Sequence, residues 1–205
     1  MFAFFKWKAL LASWDIFLAG FATTIAISLI SLFATLAISL LVGIVRCSGR
    51  KRLSKIAGYY ISFFQNTPLV VQILFLYNVL PHLGIVFSSF ICGCIGLSLY
   101  TGAFGATVIE AAILAVSKGQ FEAAYSQGMT FIQALTHIIL PQAAKIAIPP
   151  MTNQTVNMIK NSSVLAMIAG GDLMYRADSW AGENLFYGPS FIITGLLYLS
   201  LCLPL

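Results

Sequence analysis

Charge is nearly missing from this chain. Eleven Lys and Arg and six Asp and Glu make up 8% of its 205 residues, where a soluble globular protein carries about a quarter. Lipid, not water, solvates most of such a surface. Histidine is scarce too: His82 and His137 fall on opposite predicted sides of a membrane, and the acids are scattered. No nucleophile–base pair and no metal cluster emerges, so no catalytic residue, metal site or cofactor is expected and an intramembrane enzyme is disfavoured. The four cysteines (Cys47, Cys92, Cys94, Cys202) fit no metal spacing. Three lie in apolar stretches and read as small buried hydrophobes, with no disulfide framework. A G-x-x-x-x-G-K-[ST] phosphate loop is absent, so any ATP hydrolysis that serves this protein belongs to another chain. The net charge of +5 does not point to nucleic acid, because the basic residues are not interleaved with a soluble aromatic surface.

What the chain has is long apolar runs. It is 60% hydrophobic, with a mean hydropathy of +0.93. Residues 16–45 and 56–109 are free of charge, and each run exceeds the roughly 20 residues that span a bilayer. The first is about twice as long as a signal-peptide core and lacks a small-x-small cleavage site, so it reads as a retained span. The expected fold is an all-α integral membrane domain over residues 1–205. Its spans, about five, lie near 17–45, 56–80, 86–109, 146–168 and 190–205, with a polar segment at 117–145. Residues 1–15, with Trp7, Trp14, Lys6 and Lys8, suit the membrane interface.

Five of the cations, Arg46, Arg50, Lys51, Arg52 and Lys55, sit in one run, which the positive-inside rule places in the cytoplasm. The N-terminus is then outside, segment 117–145 is cytoplasmic, and the polar stretch 170–189 is an outside loop. The hydroxyls of the first span (Thr23, Thr24, Ser28, Ser31, Thr35, Ser39) fit two roles, bonding back to their own backbone in lipid or permitting close packing against another helix.

The polar island has a definite order: Glu122-Ala123-Ala124, three residues, Gly128, nine residues, then Ile138-x-Leu140-Pro141. Glu122, Ala123 and Ala124 favour a helix, and a Glu early in a helix suits its positive end. Gly128 interrupts it. A second short helix follows, with Phe131, Ile132, Leu135, Ile138 and Ile139 at three- and four-residue spacings, and Pro141 is expected to stop it. Read alone, this is either a docking element or an interfacial helix pair that connects two spans. Its full spacing resembles the EAA loop of permease subunits of ATP-binding-cassette (ABC) importers. That resemblance implies a type I importer permease fold, with Glu122, Ala123, Ala124, Gly128, Ile138, Leu140 and Pro141 docking on the ATPase.

Two further stretches carry the resemblance. Gln65-Asn66-Thr67-Pro68-Leu69-Val70-Val71-Gln72 is similar to the R-x-T-P-L-x-x-Q segment of the polar amino acid branch, with Gln65 in place of the Arg found in many members. Pro68 should kink the helix at mid-membrane. Asn66, Thr67 and Gln72 then form a polar patch that must face a cavity or another helix. Ala147-Ile148-Pro149-Pro150 through Lys160-Asn161-Ser162-Ser163 resembles the family's A-[LI]-P-P…K-[DN]-[ST]-S stretch. Lys160 is costly inside a bilayer and should face the protein interior or a watery path, where it could meet a substrate carboxylate or the carbonyls of a broken helix. Asn157, Asn161 and Ser162 accompany it. Many relatives carry Glu at the position of Thr107 and a basic residue at that of Glu110. Here Glu110 lies near the expected cytoplasmic boundary, where an interfacial role is the simpler reading.

The resemblance thus implies the permease subunit of an importer for a polar amino acid, of the glutamate/aspartate or glutamine kind, in a bacterial inner membrane. Its implied partners are two ABC ATPase subunits, a second permease copy or paralogue, and an extracytoplasmic solute-binding protein. An ATP-independent channel or secondary transporter is the alternative.

Overall fold

The structure, a computed structural model, describes residues 4–205. Among these, every regular element is helical. Helix α1 (Phe4–Ala12) is followed by α2 (Trp14–Cys47), α3 (Lys51–Asn66) and α4 (Leu69–Leu74), and α4 continues through a π turn, Phe75–Val79, and a 3-10 turn, Leu80–Leu83. Helix α5 (Ser89–Ala115) leads to the short α6 (Lys118–Ser126) and α7 (Phe131–Ala134). A π turn, Leu135–Ile139, joins α7 to α8 (Leu140–Asn161), which tightens into a 3-10 helix, Ser162–Ile168, before α9 (Leu173–Asn184) and α10 (Tyr187–Cys202).

Three runs are long and apolar enough to cross a bilayer: Trp14–Cys47, Ser89–Ala115 and Phe131–Ile168. Lys51–Asn66 with Leu69–Leu83, bent by 102°, makes a fourth if read as one broken span. The apolar α10 has 16 residues, roughly 24 Å at 1.5 Å per residue, which is short of the ~30 Å hydrocarbon core.

By contact the chain divides into two units. One comprises the chain up to Phe33, Thr67–Ser98 and Val156–Leu205. Its core joins Leu10, Phe17, Leu173, Ala177 and Trp180, and the Trp180 ring meets Phe17 edge-on at 5.6 Å. The other comprises Ala34–Asn66 and Leu99–Thr155. There Ala112, Ile113 and Val116 of the α5 end pack on Leu135, Ile139, Ala143, Ala147 and Met151.

The hydroxyls of α2 resolve in favour of helix contact. Thr24, Ser28, Ser31, Thr35 and Ser39 are all buried and recur at three- and four-residue steps, so they line one face. In the first unit Thr24 Oγ1 accepts from the Leu173 N–H at 3.0 Å; in the second, Ser39 Oγ donates to the Gly102 carbonyl at 3.3 Å. Thr23 bonds back to its own helix, at the Ala19 carbonyl, in the manner expected of a lipid-facing hydroxyl.

Two expectations fail. Stretch 170–189 is not a loop but folds largely as α9. Asp172 caps it, its Oδ2 accepting from the Met174 N–H at 3.1 Å, and Leu173, Ala177, Trp180 and Ala181 are buried at helical spacing. Of the charged residues that read as loop, Asp178 and Glu183 are exposed on that helix, Arg176 is half-buried and Asp172 is buried at its cap. Nor does Pro141 stop a helix: it is the second residue of α8. Proline breaks helices because its ring clashes with the carbonyl one turn back. Here the π turn widens the chain just before the ring, with the Leu140 N–H reaching the Leu135 carbonyl, and relieves that conflict. The second short helix and the fourth span are therefore one run.

Candidate functional site

Helix α6 starts at Lys118, so Glu122 lies in its second turn and the expected dipole contribution lapses. The helix ends in a Schellman arrangement. The Gly128 N–H donates to Tyr125 at 2.9 Å and the Met129 N–H to Ala124 at 3.1 Å, which requires the left-handed φ of +76° that Gly128 adopts. Thr130 then opens α7 with a capping box. Its Oγ1 accepts from the Gln133 N–H at 3.4 Å, and Gln133 Oε1 accepts from the Thr130 N–H at 2.8 Å. Two caps, three residues apart, make the turn rigid.

The apolar stripe of this segment divides. Leu135 and Ile139 are buried, with Phe131 and Ile138 packed beside them, whereas Ile132 stays 68% exposed. Among the residues expected to dock, Glu122, Ala123, Gly128 and Pro141 are exposed, and Ile138 and Leu140 are half-buried. Ala124 is a correction: at 1% exposure it belongs to the interior. Phe121, Glu122, Tyr125 and Phe131 border a cleft of about 380 Å³ beside the exposed Leu114. An apolar patch on an otherwise polar projection fits a partner surface.

In the other unit, Pro68 stands between α3 and α4 in extended backbone, with φ −63° and ψ 135°, so the expected kink is a full break of the helix. Gln72, buried, donates to Thr67 Oγ1 at 2.7 Å and to the Thr67 carbonyl at 3.1 Å. These two side chains hold each other across the proline. Helix α4 packs against the 3-10 helix Ser162–Ile168, which brings the Thr67–Gln72 pair to the same element as Ser162. Asn66 closes α3, exposed, with its amide donating to Ser62 at 2.7 Å.

Along α8, Asn153, Asn157 and Lys160 are exposed at i, i+4 and i+7 and share a polar face. Asn161 is half-buried. Ser162 is fully buried and donates to the Ile159 carbonyl at 2.7 Å, so it serves the change from α to 3-10 geometry and departs from the expected path position. Lys160 borders a cleft of about 300 Å³ with Ser163, Met174, Phe191 and Tyr198. The sole ion pair among the described residues is Arg46–Glu110, so the Lys160 ammonium has no acidic partner there.

Two contacts went unseen in the sequence. Gln65 Nε2 donates to the Ala103 carbonyl at 3.1 Å and to Thr107 Oγ1 at 3.4 Å, so two of the three positions that depart from the family pattern are neighbours. Glu110 is bound by Arg46, whose Nε lies 3.1 and 3.0 Å from its two oxygens. The basic run carried a hint of this pairing, but only as a marker of membrane side.

Comparison with known proteins bears on the family and the fold. The family described as "Binding-protein-dependent transport system inner membrane component" matches residues 35–205. A probable glutamine ABC transporter permease of Bacillus subtilis is 41% identical over 193 residues, covering 94% of this chain and 89% of the relative. A putative glutamine transport system permease of Rickettsia felis is 36% identical over 186 residues, 90% and 85% of the two chains. A crystal structure of an amino acid ABC transporter with histidines superposes with a TM-score of 0.88 at 30% identity, covering 97% of this chain and 92% of that one. The MetNI methionine ABC transporter in its inward-facing form shares the fold, with a TM-score of 0.76 at 18% identity over 91% of each chain. The chain belongs to the binding-protein-dependent transport system inner membrane component family and is a membrane-spanning permease subunit of an ABC importer, working with separate ATPase subunits.

Proposed function

We propose that this permease carries a polar amino acid of the glutamine class. It pairs with a second copy or a paralogue, engages two ATPase subunits through the Glu122–Pro141 segment, and receives its substrate from an extracytoplasmic binding protein. The observation that carries the coupling role is the doubly capped Gly128 turn beside the exposed Leu114, Tyr125 and Ile132. The substrate class rests on relatives described as glutamine permeases. Charge asymmetry supports an N-terminus outside and the 46–55 run inside. Asn66 and Thr67 by the Pro68 break, together with Asn157 and Lys160 on the polar face of α8, are the path residues this reading favours. A lysine without an acidic partner in a membrane helix suits a carboxylate that arrives and leaves.

The test is affinity capture from detergent, with residues 122–141 intact or scrambled, followed by uptake of radiolabelled glutamine, glutamate and arginine into proteoliposomes holding the captured complex. An ATPase that co-purifies only with the intact segment, and ATP-dependent uptake of one of these amino acids, supports the reading. Uptake by the permease alone would transfer it to the ATP-independent class.

A further inference from the structure

We infer that Arg46 is a positioning residue for coupling: it ties the base of the Glu122–Pro141 segment to helix α3. This rests on the importer reading above and assigns to it a residue outside the docking segment. All of the groups concerned lie in the unit formed by Ala34–Asn66 and Leu99–Thr155.

Arg46 occupies the last turn of α2. Its Nε donates to both Glu110 oxygens. Its Nη1 donates to the Ser54 carbonyl at 3.1 Å and to Ser54 Oγ at 3.3 Å. Ser54 Oγ in turn donates to the Arg46 carbonyl at 3.4 Å. One guanidinium therefore joins three helices: the end of α2, the first turn of α3 and α5. A fixed fork of donors is what lets Arg do this, and Lys could not satisfy the carboxylate and the serine together. Gly58, one turn along α3, leaves the room, since a Cβ there would come within 3.1 Å of Nη1.

The position of Glu110 gives the arrangement its consequence. It sits in the penultimate turn of α5, just before Ile113 and Val116, which are buried against Leu135 and Ile139. Helix α6 begins two residues after Val116. A displacement of the docking segment thus enters the end of α5 and meets Arg46 first. Helix α3 receives it at Ser54 and is tied to α5 again at Tyr60, whose hydroxyl donates to the Leu99 carbonyl at 2.7 Å, and at Gln65. The far end of α3 is Asn66, beside the proline break. Fastened at both ends, α3 follows α5 as a rod, and the Arg46 pair is the fastening on the ATPase side. The two side chains are 32% and 20% exposed, dry enough for the pair to persist where a fully exposed one would contribute little.

The experiment uses the complete complex of permease, ATPase and binding protein in proteoliposomes, and measures amino acid transported per ATP hydrolysed. The variants are Arg46→Gln, Glu110→Gln, the exchange Arg46→Glu with Glu110→Arg, and Gly58→Leu, which crowds the guanidinium without touching a charge. ATPase co-purification and the apparent Tm in detergent are recorded alongside. The expected result is that the single variants retain the ATPase and hydrolyse ATP but transport at least about fivefold less per ATP, the lower bound of a typical coupling energy, and that the exchange recovers most of the loss. A wild-type ratio in Glu110→Gln and Arg46→Gln overturns the inference. So does loss of ATPase capture in every variant, the exchange included, which would make the pair a folding element only. Absence of ATP-dependent uptake in the wild-type complex would instead defeat the importer reading on which the inference rests.

Discussion

Gly128 offers a clean separation of folding cost from docking cost. Its φ of +76° is left-handed, so any side chain there incurs backbone strain of about 1–2 kcal/mol, and Asn incurs less. An added Cβ would meet nothing within 4 Å inside the chain. Ala and Leu therefore carry nearly the same intramolecular penalty, because the extra atoms of Leu point into open space. The ATPase changes this equality. If it packs closely on the turn, the added Leu atoms overfill an interface at about 1–3 kcal/mol, which at 1.4 kcal/mol per decade weakens docking by roughly 5- to 150-fold. Gly128→Asn, Gly128→Ala and Gly128→Leu are compared by titrating purified ATPase onto the permease in nanodiscs and by uptake. Ala should sit slightly below wild type and Leu far below it, and Asn, which matches Leu in size, should fall with Leu on docking although its backbone strain is the smallest of the three, with all three inserting equally into the membrane. Equal affinities for Ala and Leu would refute close approach at this turn and with it the docking role of the segment.

Other expectations follow from single contacts. Asp172, fully buried, has its carboxyl pushed up to about 6 by burial from an ordinary 3.8. The folded protein then holds a proton that the unfolded chain has released, so this group's contribution to stability is present below about pH 4 and lost as pH rises through about 6, a change of about 3 kcal/mol at 1.36 kcal/mol per pK unit. Asp172→Asn still offers a cap oxygen to Met174 and should raise the apparent Tm in detergent above pH 6 while leaving it unchanged near pH 4. Lys160→Ala should cut amino acid uptake roughly tenfold, the worth of one charge-assisted hydrogen bond, with the ATPase still captured; normal uptake kinetics would remove Lys160 from the path. Gln65→Arg alone places an unpaired guanidinium beside Thr107 and should lower the yield of folded protein, whereas adding Thr107→Glu should restore it. A double variant no better than the single would show that the two side chains are not energetically coupled.

What could be read from residue order alone divides along a physical line. The long apolar helices were legible because a bilayer demands unbroken apolar stretches, and the Gly128 turn because its device is local, a glycine that must turn left-handed; the Thr130–Gln133 capping box was just as local and passed unread. Features set by backbone register or by distant partners were hidden. Pro141 carries the chemistry of a helix stop, and only a five-residue π turn, invisible in composition, lets the helix run through it. In 170–189 the charges suggested a loop, yet Leu173, Ala177, Trp180 and Ala181 already held a helical period; weighting pattern over polarity would have found α9. Arg46 counted as one cation among five because its partner is 64 residues away. A cation that the positive-inside reading counted only by its charge is bound by Glu110 and Ser54, whereas Arg50, Lys51, Arg52 and Lys55 have no acidic partner among the described residues. The basic run therefore holds two kinds of residue. For four of them the proposed orientation asks only for positive charge, although Lys55 also lies over the Tyr59 ring at 5.8 Å, so Lys should replace Arg among them; the fifth depends on the geometry of its guanidinium, and Arg46→Lys should fail where Arg52→Lys succeeds.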